Sequence, residues 1–203
     1  MKLRHLFTIV FATLLFACTK TSTAQVKITG EITNPIGGNV AFSNQDTSYA
    51  TTANANGTFT ISFNLDSATY LNFGHGIEIT AMFVKPGDKI HLTIDTELFD
   101  ETIKYEGSLE SSFLANKYLI TEGNDFFGKV FYLSTAEEYS KVLDDFKTTV
   151  ITEFGDISDS LFIKNEISEI DKRIAYFIGR QEKLTNYTKD VKTYKWKTSQ
   201  IGR

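Results

Sequence analysis

Ala81-Met82-Phe83-Val84-Lys85-Pro86-Gly87-Asp88-Lys89-Ile90-His91-Leu92-Thr93-Ile94-Asp95 (AMFVKPGDKIHLTID) decides the architecture of this 203-residue chain. Lys85-Pro86-Gly87-Asp88 puts Pro and Gly at the two central positions that a type II turn requires. Beyond it Ile90, Leu92 and Ile94 alternate with Lys89, His91, Thr93 and Asp95. A period of two is the pattern of a strand with one buried and one wet face.

The same period runs outward from this stretch. Val26, Ile28, Gly30 and Ile32 alternate with Lys27, Thr29, Glu31 and Thr33, and Phe59, Ile61, Phe63 and Leu65 alternate with Thr58, Thr60, Ser62 and Asn64. Asn56-Gly57 predicts a tight hairpin turn with positive φ angles, and Asn34-Pro35 with Gly37-Gly38-Asn39 predicts another turn. Short strands at this spacing predict an antiparallel β-sandwich over residues 25–107.

After Gly107 the period changes to that of a helix. Leu109–Glu122 (LESSFLANKYLITE) reads as one helix. Ser134 and Glu137 have capping-box spacing ahead of a second. Its stripe is Tyr139, Val142, Leu143, Phe146, Val150 and Phe154, with Gly155 placed to end it. Ile163, Ile167, Ile170, Ile174 and Phe177 mark a third helix to about Leu184. The fold class is therefore α+β: an antiparallel β-sandwich followed by a helical hairpin or three-helix layer. Residues 108–184 form the helical region, and 185–203 a basic tail or linker. Residues 25–107 hold 4 basic and 10 acidic residues, residues 108–184 hold 9 and 14, and the tail holds 5 and 1. The tail reads as a solvated segment, with contact to anionic lipid headgroups as the alternative.

The N-terminus has its own signature. Lys2 and Arg4 precede the apolar run Leu6–Ala17, too short to span a bilayer and of the right length for a secretory signal. Leu15-Phe16-Ala17-Cys18 resembles the bacterial lipobox, with Phe16 larger than usual at its position. That resemblance makes 1–17 a lipoprotein signal peptide, Cys18 the lipid attachment site and 18–24 a tether. Cleavage before Cys18 leaves 19 basic against 25 acidic residues, net −6. Nucleic acid is an unexpected partner for such a chain.

Catalytic chemistry finds little to stand on. Cys18 is the single cysteine, and a dithiol site needs two sulfurs. His75, in a Gly-His-Gly loop, reads as solvated, and His91 lies on the polar face of a strand; no metal site is expected. Glu137-Glu138, Asp144-Asp145 and the group Glu166, Glu169, Asp171, Lys172 and Arg173 read as solvated helix faces rather than facing acids. No Walker loop, dinucleotide fingerprint or nucleophile elbow occurs. The aromatics Tyr70, Phe73, Tyr105, Phe126, Phe127, Phe131 and Tyr132 offer a platform for sugar or peptide, with core filling the reading for most of them. Phe126, Phe127, Phe131 and Tyr132, between predicted helices, are a candidate interaction surface.

The order VKITGEIT, NANGTFTISFNL, AMFVKPGDKIHLTID, IKYEGSLESSFLANKYL resembles the N-terminal region of Bacteroidota thioredoxin-like thiol-disulfide oxidoreductase lipoproteins. The matching positions are Gly30-Glu31-Ile32, Asn56-Gly57, Phe59, Pro86-Gly87-Asp88, Tyr105-Glu106-Gly107 and Asn116-Lys117-Tyr118-Leu119. In that family a lipobox precedes a β-sandwich domain of unknown function, a helical linker and a thioredoxin domain with W-C-x-x-C. No W-C-x-x-C occurs here, so the redox activity does not carry over. Ser199-Gln200-Ile201-Gly202-Arg203 resembles the step that opens the thioredoxin domain. Asp66-Ser67-Ala68 and Asp159-Ser160-Leu161 resemble the Bacteroidota O-glycosylation sequon at Ser67 and Ser160, with helix capping the alternative at the second.

These features predict a non-catalytic, lipid-anchored module of the cell envelope, facing the periplasm, that binds an envelope protein or ligand. The membrane is a partner through the lipid; no cofactor is expected. The alternative is the N-terminal part of a thioredoxin-like oxidoreductase.

Overall fold

The computed structural model describes residues 24–124 and 126–201, with side chains through residue 186. Among the described residues eight strands form two four-stranded sheets, with one short α-helix before the last strand and the remaining helices after it. The strands are β1 Ala24–Thr33, β2 Asn39–Ser43, β3 Ser48–Thr52, β4 Thr58–Leu65, β5 Thr69–His75, β6 Glu78–Val84, β7 Lys89–Asp95 and β8 Lys104–Glu106. The first sheet has the order β4-β1-β7-β8 and the second β3-β2-β5-β6. The α+β sandwich expected from the sequence is what the chain forms, with one departure. β1 and β7 pair in parallel, Ile28 opposite Ile90 and Ile32 opposite Ile94; every other pair is antiparallel. Strands joined through the other sheet can meet this way, and alternation alone does not report direction.

All three turns singled out in the sequence change sheets, the one after Thr33 by leading from β1 in the first sheet to β2 in the second. Lys85–Asp88 leads from β6 in the second sheet to β7 in the first. Gly87 sits at φ 88°, the Asp88 N–H donates to the Lys85 carbonyl at 3.1 Å, and Asp88 Oδ2 accepts from the Lys85 N–H at 2.7 Å. Asn54–Gly57 leads from β3 to β4, again across the sandwich. Only Gly57 has positive φ, 80°, and the Gly57 N–H donates to the Asn54 carbonyl at 2.9 Å. This is a type I turn followed by a left-handed residue, not the expected tight hairpin. Gly57 also lies so close to β1 that a Cβ would stand 2.0 Å from the Ile32 carbonyl oxygen.

Between the sheets Val26, Ile28, Phe42, Phe73, Met82, Ile90 and Leu92 are fully buried. Phe73 packs on Phe42 and Phe99 with ring centroids 5.5 and 6.0 Å apart. His75, expected in a solvated loop, ends β5 and is 2% exposed. Its Nε2 accepts the Ile36 N–H at 2.9 Å and its Nδ1 lies 2.8 Å from the Asn39 carbonyl, so the neutral ring with hydrogen on Nδ1 satisfies both.

The helices are a short α1 Phe99–Thr102, α2 Leu109–Gly123, α3 Lys129–Leu133, α4 Ala136–Thr152 and α5 Ser160–Ile201. The capping box of α4 is one residue later than expected. The Thr135 hydroxyl accepts from the Glu138 N–H at 3.2 Å and Glu138 Oε2 accepts from the Thr135 N–H at 2.7 Å. Ser134 instead ends α3. Asp159 caps α5, its Oδ1 accepting from the N–H groups of Leu161 and Phe162. The α5 backbone runs on past Leu184 to Ile201, through most of the segment expected as a tail. Phe113, Phe162, Leu143, Phe146, Ile170 and Phe177 make a second core against Phe83 and Tyr70, on the outer face of the second sheet.

Candidate functional site

α2 is seated on the sandwich by serines. Phe83, in edge strand β6, turns its peptide groups outward: its N–H donates to Ser111 Oγ at 3.0 Å, and the Ser111 hydroxyl reaches its carbonyl at 3.0 Å. The Ser108 hydroxyl caps α2 through the Ser111 N–H at 3.1 Å. The Ser112 hydroxyl donates to the carbonyl of Tyr105, in β8, at 3.1 Å. One short run, Ser108-Leu109-Glu110-Ser111-Ser112, thus covers an edge strand of each sheet, where bare backbone would invite another chain. Beside it Lys85 Nζ donates to Glu110 Oε1 at 2.6 Å, with Glu110 4% exposed. Partial burial opposes the Lys85 charge, but the hydrogen bond and charge of Glu110 prevail and hold the ammonium above its usual range.

Further along, α2 and α5 stand apart over β5 and β6 and leave a cleft. It consists of three hollows of about 280, 430 and 510 Å3 that share Lys117 and Arg173. Tyr70 and Ala81 belong to its floor, Leu114, Lys117, Tyr118 and Thr121 to the α2 wall, and Glu166, Glu169, Arg173 and Tyr176 to the α5 wall. On α2 these positions are spaced by three and four residues and on α5 by three and four, so each set lies on one helix face.

A buried carboxylate anchors the cleft. Glu166, 2% exposed, accepts from the Tyr70 hydroxyl through Oε1 at 2.7 Å and from Lys117 Nζ through Oε2. Burial, then the Glu166 carboxylate, pushes the Tyr70 hydroxyl far above its ordinary pKa. Lys117 also stands 5.8 Å over the Phe113 ring. At the rim Lys172 donates to Glu169 Oε1 at 2.7 Å, which holds the Glu169 carboxyl below its usual range. Among the described residues Arg173 makes neither ion pair nor hydrogen bond.

The expected interaction surface divides. Phe126 and Phe131 are core residues, 4% and 5% exposed, not surface. The Phe126 carbonyl accepts from the Tyr139 hydroxyl at 3.0 Å, and its ring meets Phe146 and Phe177 at 4.9 Å each. Phe127 and Tyr132 are exposed, and Leu133 joins them. Ser67, in the β4–β5 turn, and Ser160, opening α5, are both exposed. Cys18 lies outside the described residues. His91 is half-buried, its Nδ1 3.0 Å from Thr29 Oγ1. Phe73 and Tyr105 are buried in the sandwich core.

Glu166 overturns its reading as a solvated residue, because the face of α5 that carries it packs on Tyr70. The signal for this was the break in alternation at Met82-Phe83-Val84. Three successive apolar residues mark a strand covered on both faces, and the side chain on the second face needs a helix layer above it. Lys117 and Tyr118 fell inside a motif but not at a site.

Among the described residues no three His, Cys, Asp or Glu side chains are placed to hold a metal ion, and no helix is long and apolar enough to cross a membrane. Compared with known proteins, the chain matches no family model, no curated protein and no solved structure at the threshold of significance.

Proposed function

We propose that the chain is a lipid-anchored accessory module of the cell envelope that binds its ligand or partner in the cleft between α2, α5 and the second sheet. The observation that carries this reading is Arg173, without a salt bridge or hydrogen bond among the described residues, where the three hollows meet beside the bonded Glu166–Lys117–Tyr70 network. A binding site gains from side chains already held in place, because less freedom is lost on association. The anchor rests on the lipobox resemblance at Cys18.

Two measurements test the two halves. Cys18→Ser should release the protein from membranes or trap its precursor; unchanged partitioning and processing would overturn the anchor. Ser168→Trp, at an exposed position of α5 facing the cleft, should fill the hollow it shares with Lys117 and Arg173 while leaving the Glu166, Lys117 and Tyr70 side chains themselves unaltered. Retention of the chain on immobilised envelope extract should then fall, while Tyr132→Ala leaves it unchanged. Retention that ignores Ser168→Trp but fails in Tyr132→Ala would move the binding surface to the exposed aromatics after α2.

A further inference from the structure

We propose that the cleft takes an acidic oligosaccharide, with a uronate carboxylate on Arg173 and neutral sugar units lying toward Tyr118 and Tyr176; this rests on the cleft being the binding site. Charge supplies the first argument. The other cations facing the cleft are matched, Lys117 by Glu166 and Lys172 by Glu169. Of the three cations that line the cleft, Arg173 alone makes no salt bridge with a described residue; its charge reaches Glu169, and its planar guanidinium stays open to a carboxylate with two parallel hydrogen bonds.

The surroundings select the kind of anion. Tyr118 and Tyr176, 44% and 53% exposed, stand in separate hollows that both include Arg173. Arg180 steadies Tyr176, with Nη1 3.3 Å from its hydroxyl and the guanidinium 5.8 Å from the ring centre. An exposed tyrosine ring offers an apolar face and a polar tip, which suits the C–H face and hydroxyl rim of a sugar. Asn72, Asn165 and Ser168 also line the cleft, and among the described residues their side chains make no hydrogen bonds. Amides and hydroxyls both donate and accept, as sugar hydroxyls do.

The cleft is polarised, which orients the ligand. Glu122 lines the hollow at Tyr118, and Asp100 and Glu78 lie close enough to act on the same tyrosine. A second carboxylate at that end meets repulsion, so the charged unit belongs at Arg173 and neutral units toward Tyr118.

The test is calorimetric titration of the full chain with aldotriouronic acid, a glucuronic acid joined to two xylose units, against neutral xylotriose. The acid should bind, and xylotriose should bind at least about tenfold more weakly, a difference of about 1.4 kcal/mol. Arg173→Gln should lose a similar factor for the acid only, Arg173→Lys should recover part of it, and Phe127→Ala should change nothing. Equal binding of the two sugars, or an acid affinity indifferent to Arg173→Gln, would overturn the proposal. Failure of both sugars, while Ser168→Trp still abolishes envelope retention, would refute the sugar and leave the cleft standing. Tetra-alanine binding through Arg173 where the sugar acid does not bind would replace the sugar by a peptide carboxylate.

Discussion

Between the two sheets, Val26, Ile28, Phe42, Phe73 and Leu92 fill the space with hydrocarbon and aromatic surface. Between the second sheet and the helices, Phe83, Phe113 and Phe162 share the space with the buried carboxylates of Glu110 and Glu166, each paired with a partly exposed lysine. The difference is one of what each interface must specify. Sheets find their register through backbone pairing and the alternation of side chains. Helices on a sheet face have no such ladder: backbone contacts reach only the start of α2, through Ser108, Ser111 and Ser112, and greasy contact beyond them permits sliding. A buried carboxylate needs its cation in one place, at a cost in desolvation. We therefore read Lys85–Glu110 and Lys117–Glu166, together with the serine contacts at the start of α2, as the pins that fix where α2 and α5 sit, which also fixes the shape of the cleft.

The largest effects should come from emptying either core. Phe73 and Phe162 are 0% and 1% exposed, and truncating either to Ala should cost about 3–5 kcal/mol in urea unfolding. The two variants should differ in where the damage shows. Phe73→Ala weakens the second sheet, which is the floor of both cores, so strand and helix amides should exchange hydrogen faster together. Phe162→Ala should speed exchange in α5 while strand amides of the first sheet remain protected. Equal acceleration everywhere would mean that the two cores unfold as one unit.

Two tyrosines set up a smaller and cleaner contrast. The Tyr70 hydroxyl donates to a buried carboxylate, whereas the Tyr105 hydroxyl is buried with no hydrogen-bond partner among the described residues. Tyr70→Phe should cost about 1.5–3 kcal/mol, the worth of a hydrogen bond to a charged group. Tyr105→Phe should be neutral or slightly stabilising, since it removes a hydroxyl that was desolvated for nothing. Both hydroxyls are pushed above the ordinary value of 10.0, Tyr70 by burial and then Glu166, Tyr105 by burial and then Asp100. The folded state thus holds protons that the unfolded chain releases. The stability this represents is full below pH 10 and is lost as the pH rises above it. In alkaline unfolding, Tyr70→Phe should flatten that loss, by at most about 1.4 kcal/mol per pH unit. A slope identical to that of the unaltered chain would show that Tyr70 ionises freely in the folded state.

The same contrast explains what could be read from the sequence. Val26, Ile28 and Ile32, or Ile90, Leu92 and Ile94, each announce a strand, because one face is buried and the other wet. The two-sheet architecture follows from enough such runs. Which turns cross between sheets was not legible, since Asn54–Gly57 obeys local φ preferences that serve a hairpin or an arch equally well. The cleft was still less legible. Glu166 is a charged residue at helical spacing, and its burial depends on Tyr70, 96 positions away in the chain. No local pattern encodes that distance. Phe126 and Phe131 misled in the opposite sense: in a segment between helices they look like surface, yet α4 and α5 close over them.

The cap of α4 measures the register of a single element. Thr135→Ala should cost about 1 kcal/mol, because its hydroxyl satisfies an otherwise orphaned N–H at the helix start. Ser134→Ala should cost no more than a few tenths, since its position ends α3 and makes no side-chain cap. Reversed costs would restore the box at Ser134 and Glu137 that the spacing first suggests.

The smallest effect belongs to a surface pair that resembles a pin and is not one. Lys141 and Asp145 are 2.7 Å apart on one face of α4, but their side chains are 75% and 67% exposed. Water solvates both charges whether or not they meet, and holding two long side chains together costs entropy. Lys141→Ala should leave the urea midpoint where it was, at low salt and high. Lys117 is 23% exposed and its partner 3%, so the same substitution at Lys117 strands a carboxylate that water cannot reach. The contrast tests the pinning argument at its base. A midpoint that falls as much for Lys141→Ala as for Lys117→Ala would mean that burial confers no special role on the Glu166 pair, and that α5 is held over the sheet by packing alone.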